Sequence, residues 1–264
     1  MTTNIRFLDP KKIEDIGKRY VHYPGPFAID NPDLENIFPG ISKTNFYVYL
    51  EDKYRKGNLE NHNLRFINQL VSYIKPNIVL EIGTFNGRTT FNIAANSENS
   101  KIITIDVADL GTREYSGTDL KYYKPKEEVG RFFKNTEFSK RIKQIIADSL
   151  TVDCQMLLDK ELDGKKIDFA LIDAGHDYDS VRHNFEELVL PRLAYGGVVV
   201  FDDYNRPLSI VGVTHYLLEK AYSDGYVFYW YAPKDSLHTN EVIFLNFPES
   251  RTYNWRANNK GGLI

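Results

Sequence analysis

The pattern of apolar positions changes character near residue 60. Before it, the stretch "RYVHYPGPFAIDNPDLENIFPG" is rich in Pro and Tyr and sustains neither a helical nor a strand period. Beyond it, "NHNLRFINQLVSYIK" places Leu64, Ile67, Leu70, Val71 and Ile74 on one helical face, and Pro76 follows. "NIVLEIG" then reads as a buried strand, a Gly-containing turn follows, and a helix is expected near Arg88–Ala95. The runs "KIITID", "KQIIADS", "IDFALID" and "GGVVVFDD" supply four more strands. Between the third and fourth lies a helix through Met156 and Leu157; "DSVRHNFEELVLPRL" is the next helix. A helix near Val211–Ala221 and the strands "GYVFYWYA" and "NEVIFLN" complete the pattern.

Continuous Val/Ile/Leu strands alternating with amphipathic helices predict a mostly parallel sheet covered on both faces, an α/β doubly wound architecture. Such sheets bind ligands at the carboxyl ends of their strands. Glu81, Asp106, Asp148, Asp173, Asp202 and Asp203 all fall at those ends. That is more acid than a sheet needs, and it directs attention to chemistry.

Composition narrows the classes. A net charge of −3 gives no electrostatic reason to expect a nucleic-acid partner, and no apolar run is long enough to span a membrane. The N-terminus lacks a signal-peptide core, and the single cysteine, Cys154, cannot form an internal disulfide, so a cytoplasmic location is expected. Cys154 lies in a helical pattern and reads as packing. One cysteine also excludes a cysteine–histidine zinc cluster.

The turn "VLEIGTFNGRTT" departs from the dinucleotide fingerprint, because Phe85 occupies the place of the second glycine. No Gly-Lys-Ser/Thr follows, so it is not a P-loop either. Glu81 beside a pyrophosphate would be repelled; it suits a cationic or hydroxyl-rich ligand. Asp106 can accept hydrogen bonds from two vicinal hydroxyls. The pattern Glu-x-Gly-x-x-x-Gly, with an acidic strand end about 19 residues later, resembles motifs I and II of class I S-adenosylmethionine-dependent methyltransferases. The general family pattern has Gly where Phe85 stands. An aromatic there, followed by Asn-Gly-Arg-Thr, is similar to the metal-dependent O-methyltransferases of the catechol and caffeoyl-CoA type. The resemblance spans roughly residues 61–246. It implies a Rossmann-like seven-stranded sheet of order 3-2-1-4-5-7-6 with the last strand antiparallel. It also implies S-adenosyl-L-methionine as cofactor, bound by Glu81, Gly83, Thr84, Phe85, Gly87, Thr89, Asp106, Asp148 and Ser149. Gly83 and its neighbours would approach the methionine part, Thr89 its carboxylate, Asp106 the ribose, and Asp148 with Ser149 the adenine. Asp148 and Ser149 serve equally well as a helix N-cap.

The second constellation is "FALIDAGHDYDSVRHNF" with "GGVVVFDDYNRP". Adjacent parallel strand ends lie about 5 Å apart, so Asp173, Asp202 and Asp203 can converge. Three such carboxylates repel one another unless a cation sits between them, and oxygen donors favour Mg²⁺, Mn²⁺ or Ca²⁺. The alternative is that Asp202 and Asp203 merely begin a loop. The spacing Asp173-Ala-Gly-His176 is similar to that of the macrocin and mycinamicin sugar O-methyltransferases, in which the His is the proposed base. The catechol type uses Lys, which is missing beside Asp173. The resemblance thus implies His176 and Asp173 as catalytic residues, with Asp173, Asp202 and Asp203 as metal ligands, acting on a sugar or other aliphatic hydroxyl. His176 could instead shape its loop. Asp177 and Asp179 read as N-terminal helix charges; His183 and His215 as packing or surface; His22, His62 and His238 have no supporting constellation.

Three segments are expected around the domain at 59–247: a leader or lid at 1–58, an inserted substrate-side segment at 107–142 carrying Tyr115, Tyr122, Tyr123, Phe132 and Phe133, and an aromatic tail at 248–264 with Trp255. The tail leaves a homo-oligomer open. The expected function is a divalent-metal-assisted O-methyltransferase of a small-molecule hydroxyl. Alternatives are a metal-independent methyltransferase and a catalytically silent cofactor-binding partner subunit.

Overall fold

Residues 34–50, 57–108, 125–204, 211–224, 226–231 and 240–247 are described by the computed structural model. Five apolar runs pair in parallel: β1 (Ile78–Ile82), β2 (Lys101–Asp106), β3 (Ile142–Ile146), β4 (Ile167–Ile172) and β5 (Leu193–Tyr204). Two more, β6 (Phe228–Tyr231) and β7 (Asn240–Leu245), extend the sheet, with β7 antiparallel to both β5 and β6. The order is β3-β2-β1-β4-β5-β7-β6, the Rossmann-like arrangement expected from the sequence. The reversal of strand order between β1 and β4 opens the crevice where such sheets take ligands.

Helices cover both faces: α1 (Asn61–Ile74), α2 (Arg88–Ala95), α3 (Val152–Leu162), α4 (Tyr178–His183) and α5 (Val211–Asp224). α1 stops where the chain turns left-handed at Lys75 before Pro76, which lacks the N–H that a further turn requires. Thr151 caps α3 through the Cys154 amide, and Asp177 caps α4 through the Ser180 amide. The single helix expected over 179–193 is instead α4, a π-helical stretch at Asn184–Val189 and a 3₁₀ turn at Leu190–Arg192. Pro191, which cannot donate an amide hydrogen, falls in the last of these.

Strand alternation divides the core. Leu80, Ile82, Ile103, Phe201 and Phe244 pack with α3, α4 and α5, whereas Val79, Ile102, Val200, Ile243 and Leu245 pack with α1 and α2. Cys154 is buried in the first layer, and burial pushes its thiol to about 11, so it packs and does not react. Among the described residues no helix is long and apolar enough to cross a membrane. The leader before residue 34, Tyr115, Tyr122, Tyr123, His22, His238 and the 248–264 tail lie outside the described residues.

Candidate active site

The Gly turn joins β1 to α2. Phe85 takes a left-handed φ of 48°, the conformation for which the family pattern uses glycine. An Asp106 oxygen helps hold it there by accepting the Phe85 amide at 2.5 Å. Burial raises the Asp106 carboxyl to about 6 against that hydrogen bond. Glu81 is fully buried beneath the turn, accepting hydroxyl hydrogens from Thr90 and, at 2.6 Å, Thr104. The Thr84 and Thr104 hydroxyls meet at 2.5 Å. Burial pushes the Glu81 carboxyl to about 8. Glu81 therefore buttresses the turn from below.

The two glycines make room for protein. A Cβ on Gly83, whose φ is +109°, would lie 1.7 Å from the Asp173 carbonyl oxygen, so its bareness lets β1 close on the end of β4. A Cβ on Gly87 would strike Gly130 and the Phe133 ring. The returning end of the inserted segment docks here: the amides of Gly130 and Phe132 donate to the carbonyls of Phe85 and Asn86 at 2.9 and 3.0 Å. Phe133 is buried in this contact, covering the turn. Thr89 is buried in the first turn of α2. Asp148 receives the Leu150 amide at 3.0 Å in the turn that leads to Thr151, with Ser149 between them, so Thr151 is the helix cap.

Asp173, His176 and Asp203 come together at the carboxyl ends of β4 and β5, each offering a ligand atom within 4.8 Å of the others. His176 Nε2 lies 2.9 Å from Asp203 Oδ2 and 3.8 Å from Asp173 Oδ1. A break in the β5–β7 register between Phe201 and Tyr204, with Asp203 at φ 62°, aims these side chains. Asp202 turns to the other face, where it accepts the side-chain amide of Asn63 at 3.2 Å. It stands outside the close group. Burial, then the charges of Asp203 and Asp173, raise its carboxyl well above the ordinary range. Glu241 at the start of β7 is fully buried, and burial followed by the Asp202 charge raises it likewise. His62 pairs with Glu60 at 3.3 Å and His215 with Glu219 at 3.9 Å, away from this group.

Asn63 and Glu241 escaped the sequence reading, though each left a trace. Asn63 falls on the apolar stripe of α1, one turn from Ile67, and Glu241 alternates with buried Ile243 and Leu245.

Residues 80–204 match the family model of a methyltransferase domain. This stretch of the chain is a methyltransferase domain. The methyltransferase shares its fold with the O-methyltransferase from Bacillus cereus solved in complex with SAH, at 15% identity, TM-score 0.53 and coverage of 89% of this chain and 99% of that one. It also resembles TomG from Streptomyces achromogenes, an O-methyltransferase of tomaymycin synthesis solved with SAM. There the identity is 14% and the TM-score 0.54, over 91% of this chain and 100% of that one. No curated protein matches the methyltransferase in sequence.

Proposed function

We propose that the methyltransferase moves the methyl group of S-adenosylmethionine to a hydroxyl of a small molecule, a sugar or glycosylated natural product, with help from a divalent cation. The observation that carries this reading is the meeting of Asp173, His176 and Asp203 at the strand ends beside the Gly turn. The cofactor assignment is supported by the turn held open by Asp106 and by the SAH and SAM in the two similar structures.

The donor set fits a cation. Asp173 and Asp203 offer carboxylate oxygens suited to Mg²⁺ or Mn²⁺. A divalent cation bound there supplies positive charge that makes an acceptor hydroxyl easier to deprotonate. His176 takes the hydroxyl proton, and Asp203, 2.9 Å from Nε2, stabilises the imidazolium that forms. Asp106 orients the cofactor by its ribose, with the Phe85 amide fixing the carboxylate. Glu81, Thr90 and Thr104 keep the turn rigid, so the methyl donor is presented in line with the oxygen.

The His176–Asp203 contact also favours a second reading, in which this pair acts as base without a metal. Methyl transfer to a panel of glycosides and other alcohols, with EDTA and then excess Mg²⁺ or Mn²⁺, separates the two. Loss of turnover with EDTA and recovery with the metal supports the first; indifference to EDTA supports the second. Binding of S-adenosylhomocysteine without turnover of any acceptor would point to a silent cofactor-binding subunit.

A further inference from the structure

The main chain that carries His176 is braced by a helix with no part in the chemistry above. α5 meets the loop after β4 through its second residue, Gly212. A Cβ on Gly212 would lie 2.2 Å from the His176 carbonyl oxygen, and 2.4 Å from both the Asp177 carbonyl carbon and the Tyr178 amide nitrogen. Backbone atoms of three consecutive residues thus stand where any other side chain would begin. Ordinary contact for a Cβ starts near 3.4 Å, so an alanine must drive helix and loop more than 1 Å apart. The backbone at Gly212 is helical, a conformation open to every residue, so it is the close approach that calls for glycine.

The contact is fastened further along the helix. The Tyr178 hydroxyl donates to Glu219 Oε2 at 3.1 Å, and the Tyr178 ring lies against those of His215 and Tyr216, with centroids 4.9 and 5.7 Å away. The arrangement closes a ring. β4 pairs with β5 through Ile172 and Phe201. β5 carries Asp203, whose Oδ2 lies 2.9 Å from His176 Nε2. The next helix along the chain is α5, which presses on the His176 main chain. Asp203 therefore holds the side chain of His176 while Gly212 sets the place of its backbone. A shift of more than 1 Å takes the imidazole out of reach of Asp203.

We propose that Gly212 is a positioning residue for the methyl transfer: the side chain it lacks lets α5 fix the distance between His176 and Asp203. It rests on the reading of His176 as the base.

The test compares four variants of the full chain: Gly212→Ala, Tyr178→Phe, His176→Ala and Leu217→Ala. Leu217 is buried in the same helix, so its truncation costs stability while leaving the Gly212 contact in place. Gly212→Ala binds S-adenosylhomocysteine within about twofold of the wild type, because the Gly turn and Asp106 are untouched. It methylates the glycosides and alcohols of the panel about a hundredfold more slowly, the cost of a displacement near 1 Å. Its crystal structure, which needs no acceptor, shows His176 Nε2 more than about 3.5 Å from Asp203 Oδ2. Tyr178→Phe keeps the ring packing and slows turnover about threefold to tenfold. Leu217→Ala lowers the melting temperature and keeps wild-type turnover.

An unchanged His176–Asp203 distance in Gly212→Ala, or wild-type turnover by that variant, overturns the positioning role. So does an equal loss of turnover in Leu217→Ala, which would make the effect one of stability. Should Gly212→Ala not fold, wild-type turnover by Tyr178→Phe overturns it instead. His176→Ala separates the two ideas. If it keeps wild-type turnover, the base reading fails and the positioning role falls with it; if it is inactive while Gly212→Ala is not, the positioning role alone fails.

Discussion

The two halves of the crevice treat their acidic residues in opposite ways. On the β1–β2 side, each carboxylate has a donor from the protein: Asp106 takes the Phe85 amide, and Glu81 takes two threonine hydroxyls on one oxygen. On the β4–β5–β7 side, Asp173 and Asp203 crowd one imidazole, Asp202 takes the Asn63 side-chain amide at 3.2 Å and the neighbouring Asp203 backbone amide, and the Glu241 oxygens take no donor from another described residue. The first side is organised to hold one molecule in one pose. The second gathers acids whose burial and mutual repulsion raise Asp202 and Glu241 well above the ordinary carboxylate range. A buried hydrogen-bonded network rigidifies a site, while unpaired charge marks where binding energy is gained. The cofactor half is thus a scaffold problem, and the acceptor half an electrostatic one.

If that contrast is right, substitutions on the two sides fail differently. Asp203→Asn should give the largest effect. It removes the partner of His176 and one of the converging oxygens, and turnover should fall by about 10²–10⁴ while S-adenosylhomocysteine affinity stays within about twofold. A comparable loss of cofactor affinity would erase the distinction between the halves. Gly83→Ala comes next. Its Cβ would enter the Asp173 carbonyl at 1.7 Å in a left-handed backbone, so β1 and β4 must part. A loss of about 3 kcal/mol is expected in denaturant unfolding, with turnover falling as Asp173 moves. A fully stable variant would show that the strand ends are not so tightly joined.

Asp106→Ala should act on affinity. Loss of a carboxylate that receives hydroxyl donors weakens S-adenosylhomocysteine by about tenfold to a hundredfold, with smaller change in turnover at saturation. The carboxyl sits at about 6, above its ordinary range. Its accepting form is therefore present above pH 6 and lost below. Wild-type cofactor affinity should weaken as pH falls through that value, and Asp106→Asn should flatten the dependence. Affinity constant from pH 5 to 8 would count against the ribose role.

The fold was legible because each signal was local and repeated: strands written in Val, Ile and Leu, helices in their 3.6-residue period. The strand-end acids were legible for the same reason. Which face each acid takes was not. Asp202 and Asp203 read as one pair, but the β5–β7 register break sends Asp202 to Asn63 and Asp203 to His176. That break depends on the partner strand, about 40 residues further along the chain, and no local spacing encodes it. Gly83 and Gly87 were legible as glycines but not in their purpose, since the atoms they avoid belong to Asp173, Gly130 and Phe133.

An effect on stability tests the scaffold half from beneath. Glu81 is raised to about 8 by burial, partly offset by its threonine hydroxyls. In the unfolded chain it titrates near the ordinary 4.5. Between those values the folded protein holds a proton that the unfolded chain has lost. Stability therefore falls as pH rises from about 4.5 to about 8, the sign for an acid whose folded pKa is raised. Glu81→Gln removes the titration and keeps a carbonyl oxygen for Thr90 or Thr104. The variant should match the wild type near pH 5 and exceed it by about 3–4 kcal/mol near pH 9, the linkage expected of a carboxyl raised from 4.5 to about 8. The check is urea unfolding at both pH values. A variant less stable than the wild type at pH 9 would mean that Glu81 is held charged by more than its two threonines, and the scaffold half would then share the electrostatic character of its neighbour.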